Sequence, residues 1–204
     1  MTHIYLLRHG ATAMNLEVPY RLQGQRIDPP LDESGRAQAE AAALALAARP
    51  IVATYASTLR RSVETAGIVG RPHGLSAVPV AGLSEADLGR WEGLTWEEAR
   101  RQDPAEHAAF LDRPGTTPYP DGESFGEVAD RALGALVEIA GRHAGGAVVV
   151  IGHNVVNRAV LAVMLGLDIQ RARGIRQANC GINLLRYDNG EFEVETMNAT
   201  LHLV

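Results

Sequence analysis

Apolar positions along the chain fall into two kinds of pattern. Ile4 to Leu7, Ile51 to Ala56 and Ala147 to Ile151 are short and almost wholly apolar, as expected of strands covered on both faces of a parallel sheet. Between them, apolar residues recur at helical spacing. Asp32 to Arg49 places Ala37, Ala41, Leu44 and Ala48 on one helical face and stops at Pro50. Thr58 to Val69 predicts the next helix, and Val78 to Ala81 a short third strand beyond the glycine-bounded turn at 70–74. Ser124 and Glu127 form an S-x-x-E capping box ahead of Phe125, Val128, Ala129, Ala132, Leu133, Leu136, Val137 and Ala140, which keep a helical period.

Val155 to Leu165 predicts a helix after the Ala147 to Ile151 strand, and Ile182 to Tyr187 and Phe192 to Met197 alternate around Asp188-Asn189-Gly190 as a hairpin. From Leu94 to Tyr119 the pattern weakens. Trp96 to Arg101 reads as a helix, and Pro104, Pro114, Pro118 and Pro120 predict loop for the rest, so a lid or insert is expected at about 94–120. The alternation predicts an α/β fold, a three-layer α/β/α sandwich whose central sheet is mostly parallel with an antiparallel edge. No repeat, linker or low-complexity segment divides the chain, so residues 1–204 are expected to form one domain.

Composition narrows the chemistry. Formal charge is −5, and no basic run marks a nucleic-acid or anionic-membrane surface. All 19 basic residues are arginine. Without lysine, neither a P-loop nor a Schiff base can form, and any cationic site is a guanidinium fork suited to phosphate or carboxylate. One cysteine, Cys180, excludes an intramolecular disulfide framework and a thiolate metal cluster. No signal peptide and no run near the roughly 18 apolar residues of a membrane span is visible, so a soluble, cytoplasmic protein is expected. Oligomeric state, a homodimer included, is not readable.

In an open parallel sheet, ligands gather beyond the carboxyl ends of the strands. His9 follows the first strand and His153 the strand at 147–151, each beside a glycine. Arg8 adjoins His9, and Arg61 opens the helix after the second strand at the same rim. Two arginines and two histidines are thus expected at one point.

The segment Leu6-Leu7-Arg8-His9-Gly10-Ala11-Thr12 with Asn15 resembles the RHG signature of the histidine phosphatase superfamily, the phosphoglycerate-mutase-like fold. Further blocks follow in order. Arg21 to Gly24 with Asp28, Pro30 and Leu31 is similar to the family's second loop, and Ser57 to Ala66 to its S-x-L-x-R-A-x-x-T-A helix, which makes Arg61, not Arg60, the site arginine. Leu83-Ser84-Glu85 with Gly89, Trp91, Glu92 and Gly93 matches the acid-bearing loop, Gly122-Glu123-Ser124 a characteristic tripeptide, and Val150 to His153 the second histidine.

The resemblance implies a metal-independent phosphomonoester hydrolase that needs no cofactor and acts on a small phosphorylated metabolite. His9 would attack phosphorus to form a phosphohistidine, and Arg8, Arg61, His153 and Asn15 would hold the equatorial oxygens. Glu85 would protonate the leaving oxygen and then deprotonate water. Gln23, Gly24 and Asn154 are expected to bind substrate, and Glu123 to stand behind the site. Ala11 and Asn154 depart from the acid or glutamine and the glycine common in the family, which implies a pocket of altered size and polarity.

Other chemistries fit less well. Cys180 to Arg186 has the C-x5-R spacing of cysteine phosphatases, but a strand there would hold the two side chains about 20 Å apart. No D-x-D pair supports an aspartyl phosphatase, and paired metal ligands are lacking. A cofactor-dependent phosphoglycerate mutase uses the same phosphohistidine, and the short insert between Glu85 and Glu123 favours hydrolysis over it. A non-catalytic phosphate-binding module would be expected to lack one of the five core residues. The His153 to Arg158 and Gln177 to Gly181 segments resemble a branch with sugar-phosphate and carboxyarabinitol-phosphate phosphatases, while the size also suits α-ribazole phosphatases.

Overall fold

The computed structural model describes residues 1–203. Six strands, β1 (Thr2–Arg8), β2 (Ile51–Ala56), β3 (Ala77–Pro79), β4 (Ala147–Gly152), β5 (Ile182–Asp188) and β6 (Glu191–Ala199), form one sheet in the order β3-β2-β4-β1-β5-β6. The first four run parallel, while β5 is antiparallel to both β1 and β6. β1 and β4 therefore lie side by side at the centre, which is why their sequences are apolar on both faces. Ile4 and Leu6 with Val148 and Val150 enter one core, and Leu7 with Val149 and Ile151 enter the other.

Among the described residues the α-helices are α1 (Ala13–Leu16), α2 (Glu33–Leu46), α3 (Arg60–Gly70), α4 (Trp96–Gln102), α5 (Pro104–Asp112), α6 (Phe125–Arg142) and α7 (Asn154–Met164). α2 and α3 cover one face of the sheet and α6 and α7 the other, which gives the three layers. Ser124 caps α6 by accepting the Glu127 N–H at 3.2 Å, while the Glu127 carboxylate accepts the Ser124 N–H at 2.8 Å. Val137 on that helix is exposed, and Ile139 is buried in the stripe instead. In the β5–β6 turn Asn189 and Gly190 both take positive φ, 49° and 90°, as the tight hairpin requires.

Three expectations are corrected. Pro104 does not break structure: it occupies the first turn of α5, where a missing N–H costs nothing and φ is already helical. The α5 aromatic Phe110 then packs with Trp91, Trp96 and Tyr119, so about half of the 94–120 segment is helical and anchored to the core. The buried stripe of α2 is Gly35, Ala39, Ala42, Ala43 and Leu46, whereas Leu44 is 78% exposed and Ala37 and Ala48 face solvent. Each alanine buries only one methyl group, so an alanine-rich helix has no strongly favoured face, and steric fit at Gly35 decides it. A Cβ there would lie 2.0 Å from the Ala11 carbonyl oxygen, and one on Gly10 2.4 Å from the Gly35 carbonyl. Lastly, β3 begins and ends earlier than expected, pairing Ala77, Val78 and Pro79 with β2.

Candidate active site

The parallel register pairs Leu7 with Ile151 and Arg8 with Gly152, and the His9 N–H donates to the Gly152 carbonyl at 3.1 Å. His9 and His153 consequently leave adjacent strand ends together, their ring centroids 5.0 Å apart. His9 Nδ1 lies 2.7 Å from the Gly10 carbonyl, which can only accept, so the proton sits on Nδ1 and Nε2 keeps its lone pair. Burial first, then the Arg61 and Arg8 charges, holds this ring well below the ordinary imidazole range and therefore neutral. His153 is likewise kept neutral, by burial and then Arg61, His9 and Arg8. Its Nε2 is 2.6 Å from Ser57 Oγ. That oxygen also accepts the Leu59 N–H at 3.2 Å, and His153 Nε2 is the acceptor the protein offers to its hydroxyl proton, which leaves Nδ1, without a partner in the protein, as the N–H donor.

Arg61 is fully buried at the start of α3. Its Nη2 donates to the Gly24 carbonyl at 2.8 Å and its Nη1 to the Ile27 carbonyl at 3.3 Å, with Asp28 at 3.5 Å. The loop offering those carbonyls is itself fixed by Glu92, whose carboxylate accepts the N–H groups of Gly24, Arg26 and Ile27 at 3.1, 2.9 and 2.6 Å. Gly24 thus meets Arg61 through its carbonyl, and a Cβ on it would press on Glu92, Ala86 and Leu88. Arg8 donates from Nη1 to the Gln177 carbonyl at 3.0 Å, and burial, opposed by Glu85, pushes its pKa down to about 10, still cationic at neutral pH.

Glu85 is 3% exposed, and its carboxylate accepts the N–H groups of Ala86, Val155 and Val156 at 2.9, 3.2 and 3.3 Å. The last two are first-turn donors of α7, so a helix end holds the acid. Arg131 fixes the loop behind it, donating to the carbonyls of Gly82, Ser84 and Glu85 and pairing with Glu123 at 2.7 Å. Glu123 also accepts the Asp87 N–H at 2.8 Å, which places it behind the site, as expected.

A cavity of about 490 Å³ opens at this rim, with Arg8, His9, Asn15, Gln23, Glu85 and Asn154 in its wall. Asn15 uses its carbonyl to accept the Thr12 N–H at 3.1 Å and leaves its NH₂ at 3.5 Å from Gln23. Arg8 Nε, Gln23 Nε2, Arg61 Nε, His153 Nδ1 and Asn154 Oδ1 are all buried and have no partner in the protein. Four of these are donors: Arg8 and Gln23 belong to the cavity wall with His9, while Arg61 and His153 stand beside His9 behind that wall, and desolvation penalises unpartnered donors unless an anion completes them.

Ala11 does not line the cavity. It is 1% exposed against Gly35, and Gln38 Oε1 accepts its N–H at 3.0 Å, so its small size serves the α2 contact and not pocket volume. Cys180 also departs from expectation: it sits in the turn before β5 with φ 53°, its thiol pushed up to about 12 by burial. Arg186 pairs with Glu193 and Glu195 on β6. Among the described residues no group of three or more His, Cys, Asp and Glu stands close enough to hold a metal ion, and no helix is long and apolar enough to cross a membrane. Ser57, Arg131, Arg158 and Arg173 were not singled out from sequence as site residues; Ser57 was legible only as the first residue of the Arg61 block.

Residues 4–200 match the histidine phosphatase superfamily (branch 1), and the chain belongs to that family. It has the phosphoglycerate-mutase-like fold and is a phosphatase of this class, with a small phosphorylated molecule as substrate. The chain is 33% identical over 208 residues to a metal-independent phosphoserine phosphatase of Arabidopsis thaliana, covering all of this chain and 84% of the relative. It is 29% identical to a probable phosphoglycerate mutase of Cronobacter sakazakii, covering all of this chain and 95% of the other. Among solved structures, Bacillus stearothermophilus YhfR superposes over the full length of both chains with a TM-score of 0.92 at 33% identity.

Proposed function

We propose that residues 1–204 act as one histidine phosphatase domain that hydrolyses a small phosphomonoester through a phosphohistidine on His9, with neither metal nor organic cofactor. The observation that carries this reading is the pairing of a neutral His9, its Nε2 lone pair free, with the unpartnered donors of Arg8, Arg61 and His153 beside it. Nε2 attacks phosphorus as the ester oxygen leaves on the opposite side. Arg8, Arg61 and His153 Nδ1–H, with the Asn15 amide, hold the equatorial oxygens, where fixed donors most stabilise the charge of the transition state. Glu85 gives its proton to the leaving oxygen and takes one back from the water that then attacks the phosphohistidine. Gln23 and Asn154 bind substrate from the cavity wall, and Gly24 acts through Arg61.

Phosphatase is preferred to mutase because the segment at 94–120 forms only α4, α5 and a short loop, an insert too short to shield the intermediate from water. A cytoplasmic location agrees with the free thiol of Cys180 and is proposed on that ground. The reading is tested by acid quenching during turnover of a phosphate ester. Wild-type protein should carry acid-labile phosphate on His9, and His9→Ala should carry none and turn over at least about 10³-fold more slowly. Faster exchange between 2- and 3-phosphoglycerate than release of phosphate would favour the mutase.

A further inference from the structure

Behind Arg8 lies a pair of buried amides that the chemistry above does not use. Gln177 and Asn183 are 5% and 0% exposed, and neither lines the cavity. They exchange two hydrogen bonds, Asn183 Nδ2 donating to Gln177 Oε1 at 2.9 Å and Gln177 Nε2 to Asn183 Oδ1 at 3.0 Å. Backbone completes the pair. Asn183 Nδ2 also donates to the Leu6 carbonyl at 2.8 Å, Asn183 Oδ1 accepts the Asn198 N–H at 2.9 Å, and Gln177 Nε2 donates to the Arg176 carbonyl at 2.9 Å.

The sheet departs from regularity to admit this pair. Ile182 stands opposite Ala199 and Leu184 opposite Thr196, so Met197 and Asn198 together face Asn183 across a bulge in β6, where Asn198 takes φ 51°. Asn198 Oδ1 then accepts the Ala178 N–H at 2.7 Å. A regular ladder around an apolar pair would hold these strands at no greater cost, because replacing both partners of a hydrogen bond by apolar groups of the same shape is nearly neutral. What the amides add is direction.

Anchored in this way, residues 177–180 run along Arg8 and His9. The Cys180 N–H donates to the Arg8 carbonyl at 3.0 Å, Asn179 Nδ2 to the His9 carbonyl at 2.8 Å, and Arg8 Nη1 to the Gln177 carbonyl at 3.0 Å. The last contact decides which donors Arg8 has left. Among the described residues no acceptor meets its Nε or Nη2, the two nitrogens of the guanidinium's side-on edge. Two parallel N–H groups on one edge match two oxygens of a phosphoryl group. We propose that Gln177 and Asn183 are positioning residues: through the Gln177 carbonyl they orient Arg8 so that its Nε–Nη2 edge meets the phosphoryl oxygens. The kinetic consequence rests on the phosphatase reading, whereas the effect on anion binding does not.

The test is a double-mutant cycle between positions 177 and 8. Gln177→Leu should lower kcat about 10- to 100-fold with a smaller change in KM, and by the same factor on alkyl and aryl phosphates, because Arg8 holds oxygens that stay on phosphorus. In the Arg8→Ala background the same substitution should change kcat less than about 2-fold. Asn183→Leu should behave in the same way. Equal losses with and without the Arg8 side chain would overturn the positioning role, since a general loosening of the fold does not depend on Arg8. Should neither variant fold, wild-type protein isotope-labelled in its arginine nitrogens decides by magnetic resonance. Arg8, identified by comparison with Arg8→Ala, should show separate, slowly exchanging Nη signals before any ligand is added, and a freely rotating guanidinium would overturn the role. Calorimetric binding of inorganic phosphate across the same cycle separates the two readings. Coupling in binding with no hydrolysis of any ester would overturn the phosphatase reading and keep the positioning role; hydrolysis with no coupling in binding or turnover would do the reverse.

Discussion

The Glu85 carboxylate lies 3.2 Å from the backbone N–H of Val155, two residues beyond His153. One helix end therefore registers the acid, delivered by the loop after β3, against the histidine delivered by β4. The contact is made by backbone donors, so the acid's position depends on the α7 start together with Arg131, which fixes the loop behind it.

Glu85→Gln keeps an oxygen for those N–H groups and removes the transferable proton. Turnover of alkyl phosphates should fall about 10²- to 10⁴-fold. Aryl phosphates, whose leaving oxygen needs little protonation, should lose less in the burst than in the steady state, because water attack on the phosphohistidine still lacks its base. Rapid-quench burst size and steady-state rate, measured together, check this. If neither substrate class slows, Glu85 is not the acid, and since Glu92 and Glu123 are engaged with loop amides and Arg131, no nearby carboxylate replaces it without rearrangement.

Acid sensitivity should follow from the histidines. His9 and His153 are held well below the imidazole value of 6.5 in the folded protein, so below pH 6.5 the unfolded chain binds protons that the folded one refuses. Their contribution is fully present above pH 6.5 and is lost as pH falls below it, with a combined slope of up to about 2.7 kcal/mol per pH unit. Thermal melts between pH 5 and 7 should show a falling Tm on acidification, and His9→Ala should flatten the dependence. A Tm that does not fall across this range would contradict the burial of neutral rings.

Neither chelation nor loss of the thiol should matter. Activity should persist in EDTA, and Cys180→Ala should retain more than about half of it, because a thiol pushed up to about 12 supplies no thiolate at neutral pH. Loss of turnover in either case with an unchanged circular dichroism spectrum would revive a metal or cysteine mechanism.

The contact between α2 and the residues after β1 should tolerate nothing larger than glycine. Gly35→Ala places a Cβ against the Ala11 carbonyl and should destabilise the protein by about 1–3 kcal/mol, read from denaturant midpoints. Since Ala11 and Gly10 adjoin His9, kcat should fall as well. A variant as stable and active as wild type would show that the backbone yields there at no cost.

Much of this protein is written in local pattern. The unbroken apolar runs of β1 and β4 could only be central parallel strands, and the Ser124–Glu127 box and Asn189-Gly190 turn acted where they stand because capping and tight turns involve neighbouring residues alone. The same holds for Arg8, His9, Arg61, Glu85 and His153, whose sequence blocks the fold gathers at one rim. What tertiary structure decided is contact between distant segments. Alanine-rich α2 has no face of its own until Gly35 meets Gly10 and Ala11, and Pro104 reads as a breaker until it stands at a helix start. His153 acquires its proton position only from Ser57, 96 residues away, and Arg158 and Arg173 are ordinary arginines until folding places them in the same cleft as Glu85 and His9. A sequence specifies which groups exist and how neighbours pair, but burial, which fixes protonation and the cost of an unmatched charge, is a property of the assembled whole.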